Sequence, residues 1–154
     1  MCKCRCGNIV SVRRQHLEGL FHARTISCGC ATRSSGEINT QNALDKLGLK
    51  YNIEVIIPAC HKYSPFDIEV ISPKTQQRLC FFECDGEQHY KIISHFKMDE
   101  EALVHQQEID NIKNDWCKKA NIPLFRIPYT EYGNITPEWL QTRFPKFKQL
   151  LENL

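Results

Sequence analysis

One apolar segment carries two carboxylates at a place where a packed strand leaves little room for charge. The run Leu79–Asp85 is dominated by apolar residues and is followed by Gly86, a pattern typical of a buried strand. Within this run, Glu83 and Asp85 are two residues apart and therefore project from the same face. Acidic side chains are seldom buried unless they are paired or bind a cation. The segment thus predicts a central strand with a polar site beside it.

The other patterned segments predict helices around a sheet. A capping-box pattern, Ser34-x-x-Glu37, and a stop at Gly48 predict a first helix from Ser34 or Ser35 to about Leu47. Further elements are expected as strands Ile53–Ile57 and Phe66–Ile71, a loop over 58–65, a long helix from Asp99 to about Ala120, a strand Pro123–Ile127, and a last helix, capped by Thr136 with Pro137 at its first position, running towards Leu151. The order α-β-β-β-α-β-α predicts an α/β fold with a mixed sheet flanked by helices.

Alternation within these elements predicts which side chains form the core. On the third strand we expect the even positions to be buried, namely Cys80, Phe82 and Cys84. On the second strand we expect Phe66, Ile68 and Val70 to point to one face and Asp67 and Glu69 to the other. On the long helix an apolar stripe is expected through Ile109, Ile112 and Trp116.

The acids of the second and third strands predict a cation site. If the two strands are neighbours, Asp67 comes close to Glu83 or Asp85, and converging carboxylates favour Mg²⁺ or Mn²⁺ because all-oxygen ligation suits these ions. His89 follows the strand end and is a candidate general base. For Asp110 and Lys113, three residues apart on the long helix, a solvated ion pair and a place in the site are equally good interpretations.

The N-terminal residues predict a separate metal module. Cys4-x-Cys6 and Cys28-x-Cys30 form two short pairs, each beside a glycine, and four thiolates suit a structural Zn²⁺ site. Cys2 could replace Cys4, and His16 and His22 are further candidate ligands, although two identical motifs make the four cysteines the simpler set. Free thiols are the alternative interpretation. A segment this small cannot bury enough apolar surface alone, so the metal would supply much of its stability. We expect this module over residues 1–33 and the larger domain over 34–154.

Charge is distributed unevenly between these parts. Residues 1–36 carry a net charge of +5 and the remainder −3. A basic segment joined to an acidic body is typical of a polyanion-binding module attached to a domain that needs carboxylates. The residues expected to contact phosphates of DNA are Arg5, Arg13, Arg14 and Arg24.

The sequence also limits where the chain acts. No apolar run is long enough to cross a bilayer, and the start of the chain lacks the apolar stretch of a signal peptide, so no membrane partner is expected. Nine cysteines in such a chain are more typical of metal ligands than of disulfides, which favours a reducing, cytoplasmic compartment.

Taken in order, several short motifs resemble one nuclease superfamily. The motifs are Gly36-Glu37, Phe66-Asp67, Glu83-x-Asp85-Gly86-x-Gln88-His89, Asp110-x-x-Lys113-Asn114 and Arg126-Ile127-Pro128-Tyr129. Over roughly residues 36–130 the chain resembles the PD-(D/E)XK nucleases, in particular the very-short-patch-repair-like branch with the EDxHD signature of some phage homing endonucleases. Cys6-Gly7-Asn8 and Ser27-Cys28-Gly29-Cys30 are similar to small zinc modules attached to phage and intron endonucleases.

This resemblance implies a restriction-endonuclease-like core and a Mg²⁺-dependent endodeoxyribonuclease of the homing or nicking type. The residues it assigns to the EDxHD set are Glu37, Asp67, His89 and Asp110, with Glu83 and Asp85 as acids of the central strand. The motif usually has a lysine two residues after the strand acid, but this chain has Asp85 at that position. His89 or Lys113 is therefore expected to take the role of the lysine. The chain offers one active site, so a double-strand break would need a homodimer or two successive nicks.

Three other functions stay open at this point. A non-catalytic DNA-binding protein on a nuclease fold would explain the missing motif lysine. A nuclease acting on RNA or on a structured junction would use the same acids. A zinc-ribbon adaptor that binds protein would leave the acids solvated, which their apolar strand disfavours.

Overall fold

The computed structural model describes residues 2–3, 9–10, 33–92 and 100–154. The chain divides into two compact units, Met1–Ser34 and Ser35–Leu154, one residue from the boundary expected from the sequence. None of the helices among the described residues is both long and apolar enough to cross a lipid bilayer.

The first unit contains a short antiparallel ladder. Its strands are β1 (Cys2–Lys3) and β2 (Ile9–Val10), and Cys2 pairs with Val10 while Lys3 pairs with Ile9. The four predicted zinc ligands and the four predicted phosphate-binding arginines lie outside the described residues: Cys4, Cys6, Cys28, Cys30, Arg5, Arg13, Arg14 and Arg24. The zinc module therefore stays a prediction.

The second unit is a four-stranded mixed sheet with flanking helices. In chain order its elements are α1 (Ser35–Lys46), β3 (Lys50–Val55), β4 (Phe66–Ile71), β5 (Arg78–Asp85), a 3-10 turn (Glu87–His89), α2 (Glu100–Lys119), β6 (Leu124–Pro128), a 3-10 segment (Tyr129–Asn134), α3 (Pro137–Arg143) and α4 (Pro145–Glu152). The strand order is β3-β4-β5-β6, with the first three antiparallel and β6 parallel to β5. The predicted α/β class and element order are confirmed, except at the C-terminus.

Local chemistry explains where helices begin and end. Gly48 has a φ of +68° just after α1, the left-handed conformation that a glycine adopts most easily at a helix C-terminus. Thr136 caps α3 as predicted, because its hydroxyl oxygen accepts a hydrogen bond from the Trp139 amide (3.1 Å). The single last helix was wrong: Phe144 leaves the helical conformation before Pro145, and a proline disfavours helix geometry in the residue before it.

The first strand of the larger sheet begins and ends earlier in the chain than predicted. It spans Lys50–Val55 rather than Ile53–Ile57, and its last pairing joins Val55 to Phe66. Glu54 has a φ of +51°, which interrupts the regular strand geometry one residue before β3 ends, and Ile56 beyond the strand is 49% exposed. The apolar run in the sequence therefore extends past the strand into the following turn.

The sheet separates two apolar clusters, because alternate residues of β5 face opposite sides. The larger cluster contains Cys80, Phe82 and Cys84, as predicted, together with Ile68 and Val70. The smaller cluster contains Phe66, Phe81 and Cys117, with Trp116 packed against it. The prediction that Phe66 shares a face with Ile68 was wrong, since its ring stacks on Phe81 with centroids 4.0 Å apart.

The buried face of α2 also differs from the predicted apolar stripe. Ile112 is 43% exposed, whereas Lys113 and Cys117 are buried. A lysine on the face that meets the sheet indicates that this helix packs there over a polar region. That region contains the acids of β4 and β5.

Candidate active site

Two carboxylates lie buried on one face of the central strand β5. Glu83 and Asp85 are each only 4% exposed and follow Phe81 at steps of two residues, so all three share the face covered by α2. In the parallel ladder Glu83 is paired with Arg126 of β6. Each carboxylate therefore needs a cationic or hydrogen-bonding partner, and the two find different ones.

The first group joins β4, β5 and α2, and we call it the lysine cluster (Asp67, Glu83 and Lys113). Lys113 Nζ lies 2.6 Å from Glu83 Oε1 and also donates to the Pro65 carbonyl oxygen at 2.6 Å. Asp67 Oδ2 accepts a hydrogen bond from the Cys84 amide at 2.7 Å. We predicted that Asp67 would lie near an acid of β5 if β4 and β5 were neighbours. The pairing of these two strands is confirmed.

Electrostatics makes this cluster receptive to a cation. Burial, reinforced by the Asp67 charge, raises the pKa of Glu83 to about 8 even though Lys113 opposes the rise. Burial also raises the pKa of Asp67, where the nearby Glu37 charge adds to the effect and the Cys84 amide opposes it. Two acids with raised pKa values at one place are poorly compensated by the single ammonium group beside them.

Glu37 approaches the lysine cluster from the first turn of α1. Its charge acts on Asp67, although its side chain is only half-buried. The approach depends on Gly36, because a Cβ there would lie 2.4 Å from the Tyr132 ring. The helix can thus sit close to the 3-10 segment after β6 only because residue 36 has no side chain.

The second group joins β5, the 3-10 turn, α2 and β6, and we call it the arginine cluster (Asp85, His89, Asp110 and Arg126). Arg126 bridges two carboxylates, with Nη1 at 2.6 Å from Asp85 Oδ1 and Nη2 at 3.3 Å from Asp110 Oδ1. His89 Nδ1 lies 2.8 Å from Asp110 Oδ2 and 3.8 Å from Asp85 Oδ1. The solvated ion pair offered for Asp110 and Lys113 is not found, since Lys113 pairs with buried Glu83 and Asp110 pairs with His89 and Arg126.

The hydrogen bond to Asp110 sets the orientation of the His89 ring. Burial alone would raise the pKa of Asp110, but the His89 hydrogen bond and the Arg126 charge outweigh it and lower that pKa. An ionised carboxylate can only accept, so Nδ1 of His89 carries the hydrogen in this bond. In the neutral ring Nε2 is then the acceptor, which is the arrangement a general base requires.

Asp85 is compensated within the arginine cluster. Burial raises its pKa, but the charges of Arg126 and His89 act in the opposite direction. Tyr90 adds a long hydrogen bond from its hydroxyl to Asp85 Oδ2 at 3.4 Å. The predicted metal trio of Asp67, Glu83 and Asp85 is thus divided between the two clusters.

The described side chains do not by themselves surround a metal ion. Across 33–92 and 100–154 there is no group of three or more His, Cys, Asp or Glu side chains arranged to hold a metal ion. Mg²⁺ is commonly held by one or two carboxylates together with water and substrate phosphates. The carboxylates of half-buried Asp67 and buried Glu83 match that smaller donor set.

Sequence reasoning missed the structural importance of Arg126 and Gln106. Arg126 stands between Phe125 and Ile127, both buried, and this alternation in β6 signals a charge directed to the opposite face. Gln106 precedes Asp110 by one helical turn and donates to its Oδ1 at 3.3 Å. Both signals are present in the sequence, but only the pairing of β6 with β5 shows what the residues contact.

Comparison with known proteins gives one partial relative. The chain is 39% identical over 64 residues to the uncharacterized protein 307L of Invertebrate iridescent virus 6. The match covers 42% of this chain and about a third (31%) of the relative. No protein-family model matches the chain. No solved structure matches it.

Proposed function

We propose that the second unit is the catalytic domain of a metal-dependent endodeoxyribonuclease with a restriction-endonuclease-like core. The observation that carries the proposal is that half-buried Asp67 and buried Glu83 and Lys113, contributed by three different elements, meet: Lys113 pairs with Glu83, and the Glu83 side chain is hydrogen-bonded to Asp67. An acid from one strand, an acid from the next and a lysine beside it form the set that phosphodiester hydrolysis on this type of core requires. The motif resemblance supports the same interpretation.

The divalent cation would be held by Asp67 and Glu83. An Mg²⁺ or Mn²⁺ ion held by these two carboxylates would supply Lewis-acid chemistry, which would polarise the scissile phosphate and lower the pKa of a bound water. The raised pKa of Glu83 supports this assignment, because a nearby cation stabilises the charged form that burial disfavours. Glu37, near enough to act on Asp67, completes the acidic lining from the α1 side.

The remaining groups handle protons and charge. His89, oriented by Asp110, takes the proton from the attacking water. Lys113 lies at Glu83, and its ammonium group balances charge that develops on the phosphate. In this assignment Lys113 takes the role of the motif lysine, whose usual position in the chain is occupied by Asp85.

The partner of this site is DNA, bound through the basic N-terminal unit. Arg5, Arg13, Arg14 and Arg24 would contact phosphates, with structural Zn²⁺ at Cys4, Cys6, Cys28 and Cys30. Such contacts give affinity and position but little sequence choice. A single site per chain means that a double-strand break needs a homodimer or two successive nicks.

A plasmid-nicking assay tests the proposal. With supercoiled DNA and Mg²⁺, we expect Asp67→Asn and His89→Ala to reduce nicking by at least about 100-fold, the scale of a lost acid–base or metal-binding group. DNA binding measured in EDTA should be unchanged. Asp115→Asn and His105→Ala, at exposed positions of α2, are matched controls that should keep full activity.

The assay also separates the nuclease from its nearest alternative. The position of Asp85, paired with Arg126 where the motif lysine is usual, favours a non-catalytic DNA-binding protein on the same fold. That alternative predicts binding without Mg²⁺-dependent nicking in the unsubstituted protein. Nicking that persists at the normal rate in both site variants would refute the assignment of the site.

A further inference from the structure

Arg126 is the most completely engaged side chain of the site. Besides its contacts with Asp85 and Asp110, its Nε donates to Asn114 Oδ1 at 3.0 Å and its Nη2 to the Asp110 carbonyl oxygen at 3.4 Å. The side chain is 21% exposed. Burial alone would lower the pKa of its guanidinium, but the charges of Asp85, Asp110 and Glu83 outweigh it and raise that pKa. All three guanidinium nitrogens are used, so this arginine has little capacity left for a substrate phosphate.

The lysine cluster has no equivalent bridge. Lys113 contacts one oxygen of Glu83, and the described part of the chain contains no ion pair to Asp67. Asp67 is held instead by hydrogen bonds with the Cys84 amide and the Glu83 side chain. The arginine cluster instead has a cation placed between its two carboxylates. The two clusters thus differ in whether the space between the acids already holds a positive charge.

We propose that Arg126 is a positioning residue that acts as a built-in cation between Asp85 and Asp110 and restricts the site to one divalent cation. The ion at Asp67 and Glu83 rests on the proposed function. The exclusion of a second ion rests only on the contacts of Arg126. In this view Asp85 is a partner of the arginine and not a metal ligand, while Asp110 stays turned towards His89.

Counting bound Mn²⁺ in the full, zinc-loaded chain tests the inference without any assay of activity. Mn²⁺ prefers oxygen ligands and is visible by electron paramagnetic resonance. We expect one Mn²⁺ per chain in the unsubstituted protein, none in Asp67→Asn, and an affinity changed by less than about threefold in Asp85→Asn. We expect Arg126→Ala to bind two ions, and Asp85→Asn added to Arg126→Ala to bind one.

Charge rescue and the Asp85 variant keep the test decisive. Arg126→Lys retains a cation and should bind one Mn²⁺. If Arg126→Ala does not fold, as judged by circular dichroism, the Asp85→Asn protein still decides. If the unsubstituted protein binds two ions and Asp85→Asn binds only one, then Asp85 is a metal ligand and the inference is overturned. A folded Arg126→Ala protein that gains no ion would also overturn it. An unsubstituted protein without bound Mn²⁺ would contradict the proposed metal site, yet an ion gained in Arg126→Ala would still support the role of Arg126.

Discussion

Glu83 and Asp85 stand two residues apart on the same face of β5 and are equally buried, yet they are in different electrostatic states. Burial and the nearby charge of Asp67 raise the pKa of Glu83 to about 8, although Lys113 Nζ lies 2.6 Å from its carboxylate. Asp85 is raised by burial as well, but the guanidinium of Arg126 acts against that rise. Burial therefore sets the cost of charge at both positions, and the neighbouring residues decide which acid still needs a cation.

The largest expected effect comes from removing the cation of the lysine cluster. Lys113→Met leaves Glu83 and the Pro65 carbonyl oxygen without their buried partner. At pH 9, where Glu83 is ionised, we expect the free energy of unfolding to fall by about 3 kcal/mol or more, the scale for breaking a buried ion pair from one side. At pH 6 the loss should be smaller because Glu83 is already neutral. Urea unfolding at both pH values measures this difference.

A matched control and a double variant sharpen this prediction. Lys118→Met changes an exposed lysine of the same helix and should alter stability by less than about 0.5 kcal/mol. Adding Glu83→Gln to Lys113→Met removes the unpaired charge and should recover part of the loss at pH 9. Equal destabilisation by both lysine variants would mean that the contact of Lys113 with Glu83 contributes nothing.

The second effect is a pH dependence of stability that belongs to Glu83. Its pKa rises from an ordinary 4.5 to about 8 on folding, so between these values the native state binds more protons than the unfolded state. Stability due to this group is complete below pH 4.5, falls by up to about 1.4 kcal/mol per pH unit as the pH rises, and is lost above pH 8. The free energy of unfolding, measured from urea curves at several pH values, should therefore change less steeply with pH in Glu83→Gln than in the unsubstituted protein.

The control for the pH experiment is an exposed acid of the same type. Glu138→Gln, in the first turn of α3, should keep the slope of the unsubstituted protein. Saturating Mg²⁺ should make the unfolding free energy of the unsubstituted protein less dependent on pH, because a cation beside Glu83 favours its ionised form. A slope that is identical in Glu83→Gln and in the unsubstituted protein would contradict the raised pKa.

These comparisons show what the sequence could predict and what it could not. The strands β4 and β5, the helix α2 and the cap at Thr136 follow from apolar alternation and local hydrogen bonding, which act between near neighbours in the chain. Segments with conflicting local signals were predicted wrongly: β3 ends at Val55, one residue after the positive φ of Glu54, inside an apolar run, and Pro145 interrupts a helix. Such breaks depend on backbone conformation at one residue, which periodicity does not report.

The site shows the same division between local and distant information. That Glu83 and Asp85 share a face could be predicted from alternation alone. Which acid meets Asp67 could not, because it depends on the antiparallel register of β4 with β5, and the partner of Asp85 comes from a strand about 40 residues further along. Helical spacing also predicted an apolar stripe on α2, whereas the buried face of this helix contains the lysine that contacts Glu83.

The smallest expected effect lies at the edge of the arginine cluster. Gln106 donates to Asp110 Oδ1 at 3.3 Å and lies 3.4 Å from His89 Nδ1, so it supports the orientation of the acid that holds the histidine. Because Arg126 and His89 still hold Asp110 when Gln106 is absent, Gln106→Ala should lower the nicking rate only about two- to fivefold, the size of one weak hydrogen bond. Gln107→Ala, at the exposed neighbouring position, should leave the rate unchanged. A loss as large as that of His89→Ala would mean that Asp110 depends on Gln106 rather than on Arg126, and the contrast between the two clusters would need a different explanation.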